Sequence, residues 1–325
     1  MKKHTSKKTP VSKQVARRTP AQKPCTNSWS FSLYVYWFLI LFFISATFFV
    51  LGMNYKSSHV DVPAPEITEE ALLQASDYFE SGKTKLLAGN MDDAIADLTT
   101  AIDGGVASVD TYILRGEAFM QTGDYRNAMA DFDAVLERDP QNAVAYYDRS
   151  LLNTRLEDYA SALNDINNAM AVNATNPSPI LQLRDLYAKR GQLNLWLKNW
   201  EGAVADYTNS LARPEGTVNP SVYAERAEAY TALGNYESAI EDYSSAVRVI
   251  SEQIQGAPTM AEREMLSTNA MNYFEKSAAL NLQLGNVDAS RNDLESARTI
   301  GMALGDTASV ERLDSLLNEM NAVNQ

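Results

Sequence analysis

Cysteine and histidine are nearly absent from this chain of 325 residues. The single cysteine is Cys25, and the two histidines are His4 and His59. The region after His59 therefore has no thiol and no imidazole, which excludes disulfides, Cys- or His-ligated metal sites and Ser-His-Asp or Cys-His catalysis there. We expect this large region to be non-enzymatic and to use neither a cofactor nor a metal ion.

Acidic residues are absent from the first 60 positions, which carry nine Lys and Arg. Residues 61–325 carry all 41 Asp and Glu against the remaining 19 Lys and Arg. A surface with this excess of negative charge repels phosphate backbones. We therefore expect no nucleic-acid partner.

Charge of either sign is absent from 25 consecutive residues, Trp29 to Met53. At about 1.5 Å per residue, a helix of this length crosses a hydrocarbon core of roughly 30 Å. A buried core helix and a cleavable signal peptide are the alternatives. Core helices are seldom uncharged on every face, and a signal peptide has a shorter apolar stretch that ends at small residues. We therefore predict a single transmembrane helix over 29–53.

The flanks of this span predict its orientation. Eight Lys and Arg precede it and only Lys56 closely follows it, so the positive-inside bias places the N-terminus in the cytoplasm and the remainder outside it, in the periplasm of a bacterium. Residues 1–28 are basic, rich in Ser, Thr and Pro, and predicted to be a disordered cytoplasmic tail. Residues 54–67 are predicted to be a linker. The predicted location is the inner (cell) membrane.

Six copies of one residue pattern follow the linker, and the first three are spaced by 34 residues. Each copy has an aromatic residue, a small residue four positions later, a second small residue twelve later and a third small or branched residue seven later. The aromatic positions are Tyr78, Tyr112, Tyr146, Tyr187, Tyr223 and Phe274, and the first small positions are Gly82, Gly116, Ser150, Gly191, Ala227 and Ala278. Apolar residues at helical spacing, broken by turns such as Thr122-Gly123-Asp124, indicate a pair of helices in each copy. Because one pair cannot bury its apolar face alone, the pairs are expected to stack.

This pattern resembles the tetratricopeptide repeat over roughly residues 75–304. The resemblance implies an all-α, right-handed superhelical solenoid of about six helix pairs, at about 75–108, 109–142, 143–176, 184–217, 220–253 and 271–304. We take 68–325 as the repeat domain and predict a C-terminal capping helix over 306–322. Residues 254–270 are an insert that is expected to lengthen helices or form a loop.

Aspartates and arginines also recur at fixed positions. The aspartates are Asp97, Asp131, Asp165, Asp206, Asp242 and Asp293, and the arginines are Arg115, Arg149, Arg190 and Arg226. An aligned series of acids is compatible with paired catalytic carboxylates. We favour ion pairs that fix the register of the repeats, because no other catalytic residue type recurs beside the acids.

The resemblance also implies a concave groove, lined by the first helix of each pair, that receives a segment of a partner protein. The groove positions are Phe79, Glu80, Ile113, Leu114, Glu117, Met120, Tyr147, Asp148, Leu151, Arg155, Lys189, Trp196, Glu225 and Glu228. Tyr147 and Trp196 could anchor a partner or pack between repeats. The acidic lining favours a basic or amphipathic segment.

These features predict a membrane-anchored scaffold or adaptor that mediates protein–protein interactions in envelope assembly or secretion. The alternative is a periplasmic chaperone-like factor that holds newly exported polypeptides.

Overall fold

The computed structural model describes residues 68–213 and 218–323, and these residues form thirteen α-helices and no strand. The helices are α1 (Glu69–Leu87), α2 (Met91–Asp103), α3 (Val109–Thr122), α4 (Tyr125–Arg138), α5 (Ala143–Arg155), α6 (Tyr159–Thr175), α7 (Leu183–Trp196), α8 (Trp200–Leu211), α9 (Pro220–Ala232), α10 (Tyr236–Gly256), α11 (Met260–Gln283), α12 (Val287–Leu304) and α13 (Thr307–Val323). The predicted all-α class is confirmed for this part of the chain.

The predicted tail 1–28, transmembrane helix 29–53 and linker 54–67 lie outside the described residues. Among α1 to α13, none is both long enough and apolar enough to span a bilayer.

The turn inside each helix pair contains a residue with left-handed backbone geometry, and in the second to fifth pairs a capping side chain follows it. Gly123 has φ 84° after α3, and the carboxylate of Asp124 then accepts a hydrogen bond from the Asn127 backbone N–H at the start of α4. Glycine is favoured at such a position because it has no Cβ to clash. Glu157 and Lys198 occupy the same position in the third and fourth pairs, each with φ 60°.

Where the first small residue of a repeat is glycine, it lies against the side chain that follows the recurring aspartate. A Cβ added to Gly116 would lie 2.7 Å from Phe132 Cε1, and one added to Gly191 would lie 2.9 Å from the Tyr207 ring. Phe132 and Tyr207 are fully buried. The small residue thus lets the two helices of a pair approach closely enough to enclose a large side chain.

The pairs stack in chain order. Each helix contacts chiefly the helices before and after it, and the first helices α1 and α3, α3 and α5, and α7 and α9 also touch one another. This is the contact pattern of a solenoid. The hand of the superhelix and the exact repeat boundaries stay predictions.

The insert 254–270 lengthens helices: α10 has 21 residues and α11 has 24. The final helix, α13, packs on α12 and buries Leu313 completely against Leu294 and Ala297. One apolar side chain of α13, Leu316, is left 38% exposed.

Candidate partner-binding groove

The recurring arginines and aspartates form ion pairs within the helix pairs. Arg149 on α5 donates from Nε and Nη2 to the two carboxylate oxygens of Asp165 on α6, at 3.0 and 2.7 Å. Its third nitrogen, Nη1, donates to Asp133 on α4 at 2.7 Å, so one guanidinium joins two successive pairs. The equivalent bidentate contacts are Arg115 to Asp131, Arg190 to Asp206 and Arg226 to Asp242. The predicted pairing of the recurring arginines with the recurring aspartates is therefore confirmed.

In the first and last pairs, side chains other than arginine donate hydrogen bonds to the recurring aspartate. Asp97 accepts hydrogen bonds from Ser81 and Lys85, both at 2.6 Å. Asp293 accepts from Ser277 at 2.8 Å and from Asn281 at 2.9 Å. The carboxylate is thus held in all six pairs, and its partner changes with the residue that each unit carries.

A different set of side chains connects the first helices of successive pairs with one another. We call the surface that they form on α3, α5, α7, α9 and α11 the inner face; its polar members are Glu117, Asp148, Lys189, Gln192, Glu225, Glu228 and Lys276. Lys189 on α7 interacts electrostatically with Glu225 on α9, which also accepts a hydrogen bond of 3.4 Å from Gln192 Nε2. Glu228 on α9 forms an ion pair with Lys276 on α11. These contacts place predicted groove residues of successive repeats beside one another.

The acidic residue Glu117 on α3, in the second pair, lies close enough to Asp148 on α5, in the third pair, for its charge to act on that carboxyl. Burial, and after it the negative charge of Glu117, raise the pKa of Asp148 to about 8. Burial also raises the pKa of Glu117. Asp148 is 7% exposed, and its Oδ2 atom is buried without a hydrogen-bond partner among the described residues.

The fourth and fifth pairs carry a connected polar network. Tyr207 on α8 donates a hydrogen bond of 2.7 Å to Glu225 Oε2. Burial raises the pKa of Glu225, while the hydrogen bonds from Tyr207 and Gln192 lower it. Burial lowers the pKa of Lys189 and the charge of Glu225 raises it. The inner face therefore holds ionisable groups that are partly withdrawn from water.

Several predicted groove residues pack into the repeats. Ile113 contacts the cluster formed by Val135, Leu136 and Ala145, and Met120 contacts the cluster of Ala128, Phe132 and Leu152. Tyr147 packs on the cluster of Ala162, Ile166, Ala169, Leu186 and Leu193. All three are half-buried, so each contributes to the core and keeps part of its surface accessible.

Trp196, the last residue of α7, packs between repeats. Its ring lies 5.0 Å from that of Tyr159 on α6, at an angle of 45°, and Lys189 Nζ lies 5.6 Å from its centroid. It is nevertheless 42% exposed. Both roles considered for this residue, packing and anchoring a partner, are therefore open to it.

The remaining predicted residues differ in exposure. Phe79, Leu114 and Leu151 are half-buried, whereas Glu80, Arg155 and Glu228 are exposed; Arg155 acts electrostatically on Lys189. No hydrogen bond or ion pair joins Phe79 or Glu80 to the other predicted residues within the part of the chain that the structure describes.

Sequence reasoning missed three side chains of the inner face. Gln192 occupies the repeat position of Glu117, and Lys276 occupies that of Leu114 in the sixth unit, so the register could have identified both. Tyr207 comes from a second helix. The signal for it was a tyrosine directly after Asp206, where the first three units have Leu, Phe and Ile.

No group of three or more His, Cys, Asp or Glu side chains is arranged to hold a metal ion within residues 68–213 and 218–323. The arrangement of the inner face suits noncovalent binding, because it presents partly desolvated acids beside half-buried aromatic and aliphatic side chains.

Family models for the tetratricopeptide repeat match residues 79–143, 113–177 and 220–252. The chain is 33% identical over 97 residues to RNA polymerase II-associated protein 3 of Xenopus tropicalis, which is 30% of this chain and 14% of that protein. It is 30% identical over 92 residues to the SGT1 homolog of Oryza sativa, which is 28% of this chain and 25% of that protein. The chain thus spans a quarter or less of the length of these curated relatives.

Among solved structures, the chain is similar to PilW, described as a widely conserved type IV pilus biogenesis factor. The identity is 15%, the match covers 74% of this chain and 97% of PilW, and the TM-score is 0.53. It is also similar to PilF of Pseudomonas aeruginosa, with 17% identity, 76% and 99% coverage and a TM-score of 0.52. At these identities the likeness shows the fold. The chain therefore contains tetratricopeptide repeats, at residues 79–177 and 220–252, within an all-α stack of helix pairs.

Proposed function

We propose that the repeat region is a non-enzymatic scaffold that binds a segment of a partner protein along its inner face. The observation that carries this proposal is the residue type found two positions after the recurring aromatic residue in successive first helices. That position holds Asp148, Lys189 and Glu225, which are partly or largely buried, whereas the second unit fills it with Leu114. The fold therefore accepts an apolar residue there, and ionisable side chains at this position are available for recognition.

The charge of the inner face favours a basic or amphipathic segment as the partner. Its acidic members Glu117, Asp148, Glu225 and Glu228 outnumber its lysines, and the ion pair with Lys276 already neutralises Glu228. Complementary charge raises the association rate and excludes segments of the same sign.

We also propose that residues 29–53 anchor the protein in the inner membrane, with the repeats on the periplasmic side. The 25 uncharged residues and the basic flank support this proposal. Anchoring would raise the effective concentration of the repeats toward other membrane-bound proteins. The likeness in fold to a type IV pilus biogenesis factor is in line with a role in envelope assembly.

Site-specific photocrosslinking tests the binding face. A photoreactive amino acid replaces Glu228, which is exposed on the inner face of α9, and a matched variant carries it at Glu241, which is exposed on the second helix α10. The scaffold predicts one discrete adduct from position 228 in native membranes and none from position 241. Equal labelling from both positions contradicts the inner face as the binding surface. Many heterogeneous adducts from position 228 favour the chaperone-like alternative.

Protease accessibility tests the anchor and its orientation. Protease added to spheroplasts is expected to digest residues 61–325. Protection of that region until the membrane is permeabilised would contradict the periplasmic location.

A further inference from the structure

Glu117 and Asp148 differ from the recurring aspartates and from Glu225, because within residues 68–213 and 218–323 no side chain forms a hydrogen bond or ion pair with either carboxylate. The recurring aspartates are held by Arg, Lys, Asn or Ser, and Glu225 is held by Tyr207 and Gln192. In the described residues, Asp148 Oδ2 is buried without any partner. A buried acid left unpaired costs stability.

Packing does not account for the acid at this position. The same repeat position is Leu114 in the preceding unit and Lys189 in the following one, so the helix stack accommodates an apolar or a basic side chain there. An aspartate that is both unpaired and replaceable points to recognition of something outside the repeat stack.

The groups around Asp148 determine which sign of charge a ligand must carry to bind beside it. The charge of Glu117 on α3 acts on Asp148, and the charges of Asp148 and of Asp185 on α7 act on Tyr147. The guanidinium of Arg149, on the same helix, is already engaged by the aspartates of α4 and α6. The nearest groups acting on Asp148 are therefore negative or neutral.

We propose that Glu117 and Asp148 together form a subsite for one cationic side chain, lysine or arginine, of the segment bound along the inner face. The ammonium or guanidinium group lies between the two carboxylates and donates hydrogen bonds to them, and Tyr147 contributes part of its aromatic side to the wall. This subsite rests on the proposed function, since the cation is delivered by a bound protein segment.

Binding of a cation at the subsite releases a proton, and this release can be measured. Near neutral pH burial keeps Asp148 largely protonated, with a pKa of about 8. Pairing with a cation favours the ionised carboxylate, so binding expels a proton to solvent. A role of Asp148 in packing alone would release none.

The probe is a peptide selected from a random phage-displayed library on the full-length protein. The selected peptide is resynthesised with each lysine replaced by norleucine or each arginine by citrulline, which removes the charge and separates the two sources of the cation. Titration calorimetry in buffers of different ionisation enthalpy measures the affinity and the proton count for the unmodified protein and for Asp148→Asn and Glu117→Gln. Glu241→Gln is the control, since Glu241 is an exposed acid on the second helix α10, away from the inner face.

We expect Asp148→Asn to weaken binding about tenfold or more and to abolish the release of about one proton. Glu117→Gln weakens binding as well, and Glu241→Gln changes neither the affinity nor the proton count. For a peptide in which one particular lysine or arginine has been made neutral, Asp148→Asn no longer lowers the affinity. That residue is the side chain bound at the subsite. Thermal unfolding of the isosteric Asp148→Asn variant checks that it is folded.

The failures of the two proposals are distinguishable. A peptide that crosslinks to a photoreactive residue at Glu228 but binds Asp148→Asn unchanged overturns the subsite and leaves the groove in place. A selected peptide that crosslinks at Glu241 instead, or a selection that enriches no peptide, contradicts the proposed function and the subsite with it.

Discussion

Arg115 on α3 and Asp131 on α4 are joined by two parallel hydrogen bonds of 2.9 and 2.7 Å, between residues sixteen positions apart in the chain. Arg115 Nη1 also donates to Thr99 on α2 at 3.2 Å. A single side chain therefore fixes the angle within its own helix pair and the contact with the pair before it. Four of the six units contain this arrangement.

Replacing Arg115 with methionine is expected to lower the free energy of unfolding by about 3 to 5 kcal/mol, because Asp131 is only 3% exposed and would be left without a countercharge. The double variant Arg115→Met/Asp131→Leu should recover most of that loss. Urea unfolding followed by far-ultraviolet circular dichroism measures both. Arg248→Met, which removes an exposed pair with Glu252, is the control and should change stability by less than about 1 kcal/mol.

Replacing Glu157 with glycine is expected to stabilise the protein by about 1 kcal/mol. Glu157 has φ 60°, a left-handed conformation in which a Cβ is unfavourable and which glycine occupies in the equivalent turn at Gly123. Lys198→Gly should have the same effect for the same reason. Gly123→Ala, the reciprocal change, should destabilise by a similar amount, and thermal unfolding of the three variants measures the differences.

Replacing Gly191 with alanine is expected to destabilise the protein by about 1 to 3 kcal/mol. The new Cβ would lie 2.9 Å from the ring of Tyr207, which is fully buried and cannot move aside without disturbing the core. Gly256→Ala is the matched control, because no atom lies within 4 Å of the added Cβ. Equal losses from both variants in chemical denaturation would show that close packing is not the cause.

The contribution of Asp148 to the free energy of unfolding is expected to fall as pH rises from about 4 to about 8. The pKa of Asp148 is about 8 in the folded protein and about 3.9 in an unfolded chain, so between these values the folded state binds more protons. The slope from this group is at most about 1.4 kcal/mol per pH unit. Asp148→Asn removes the contribution and should be the more stable protein at pH 8 and above.

Denaturant unfolding at a series of pH values measures this dependence. Glu80→Gln should leave the curve unchanged, since Glu80 is exposed at the same repeat position. Parallel curves for the unmodified protein and for Asp148→Asn would contradict a raised pKa for this carboxyl.

The helix pairs and the ion pairs that hold them were accessible from sequence, because their causes are local and periodic. A glycine faces the side chain after the recurring aspartate in several copies, as Gly116 faces Phe132 and Gly191 faces Tyr207. Sixteen residues separate each arginine from its aspartate, so one turn and two helices bring them together. The effect of the insert was left open between a loop and longer helices, since residues 254–270 are compatible with both.

The all-α class, the turn residues such as Gly123 and the apolar positions of the core follow from the sequence alone, because neighbouring residues and helical periodicity dictate these features. The electrostatic state of the inner face depends instead on contacts between helix pairs. The hydrogen bond from Tyr207 to Glu225 and the ion pair between Lys276 and Glu228 join different helix pairs. The burial of Asp148 likewise depends on how closely neighbouring helices stack, which determines how much water reaches a side chain and which charges surround it.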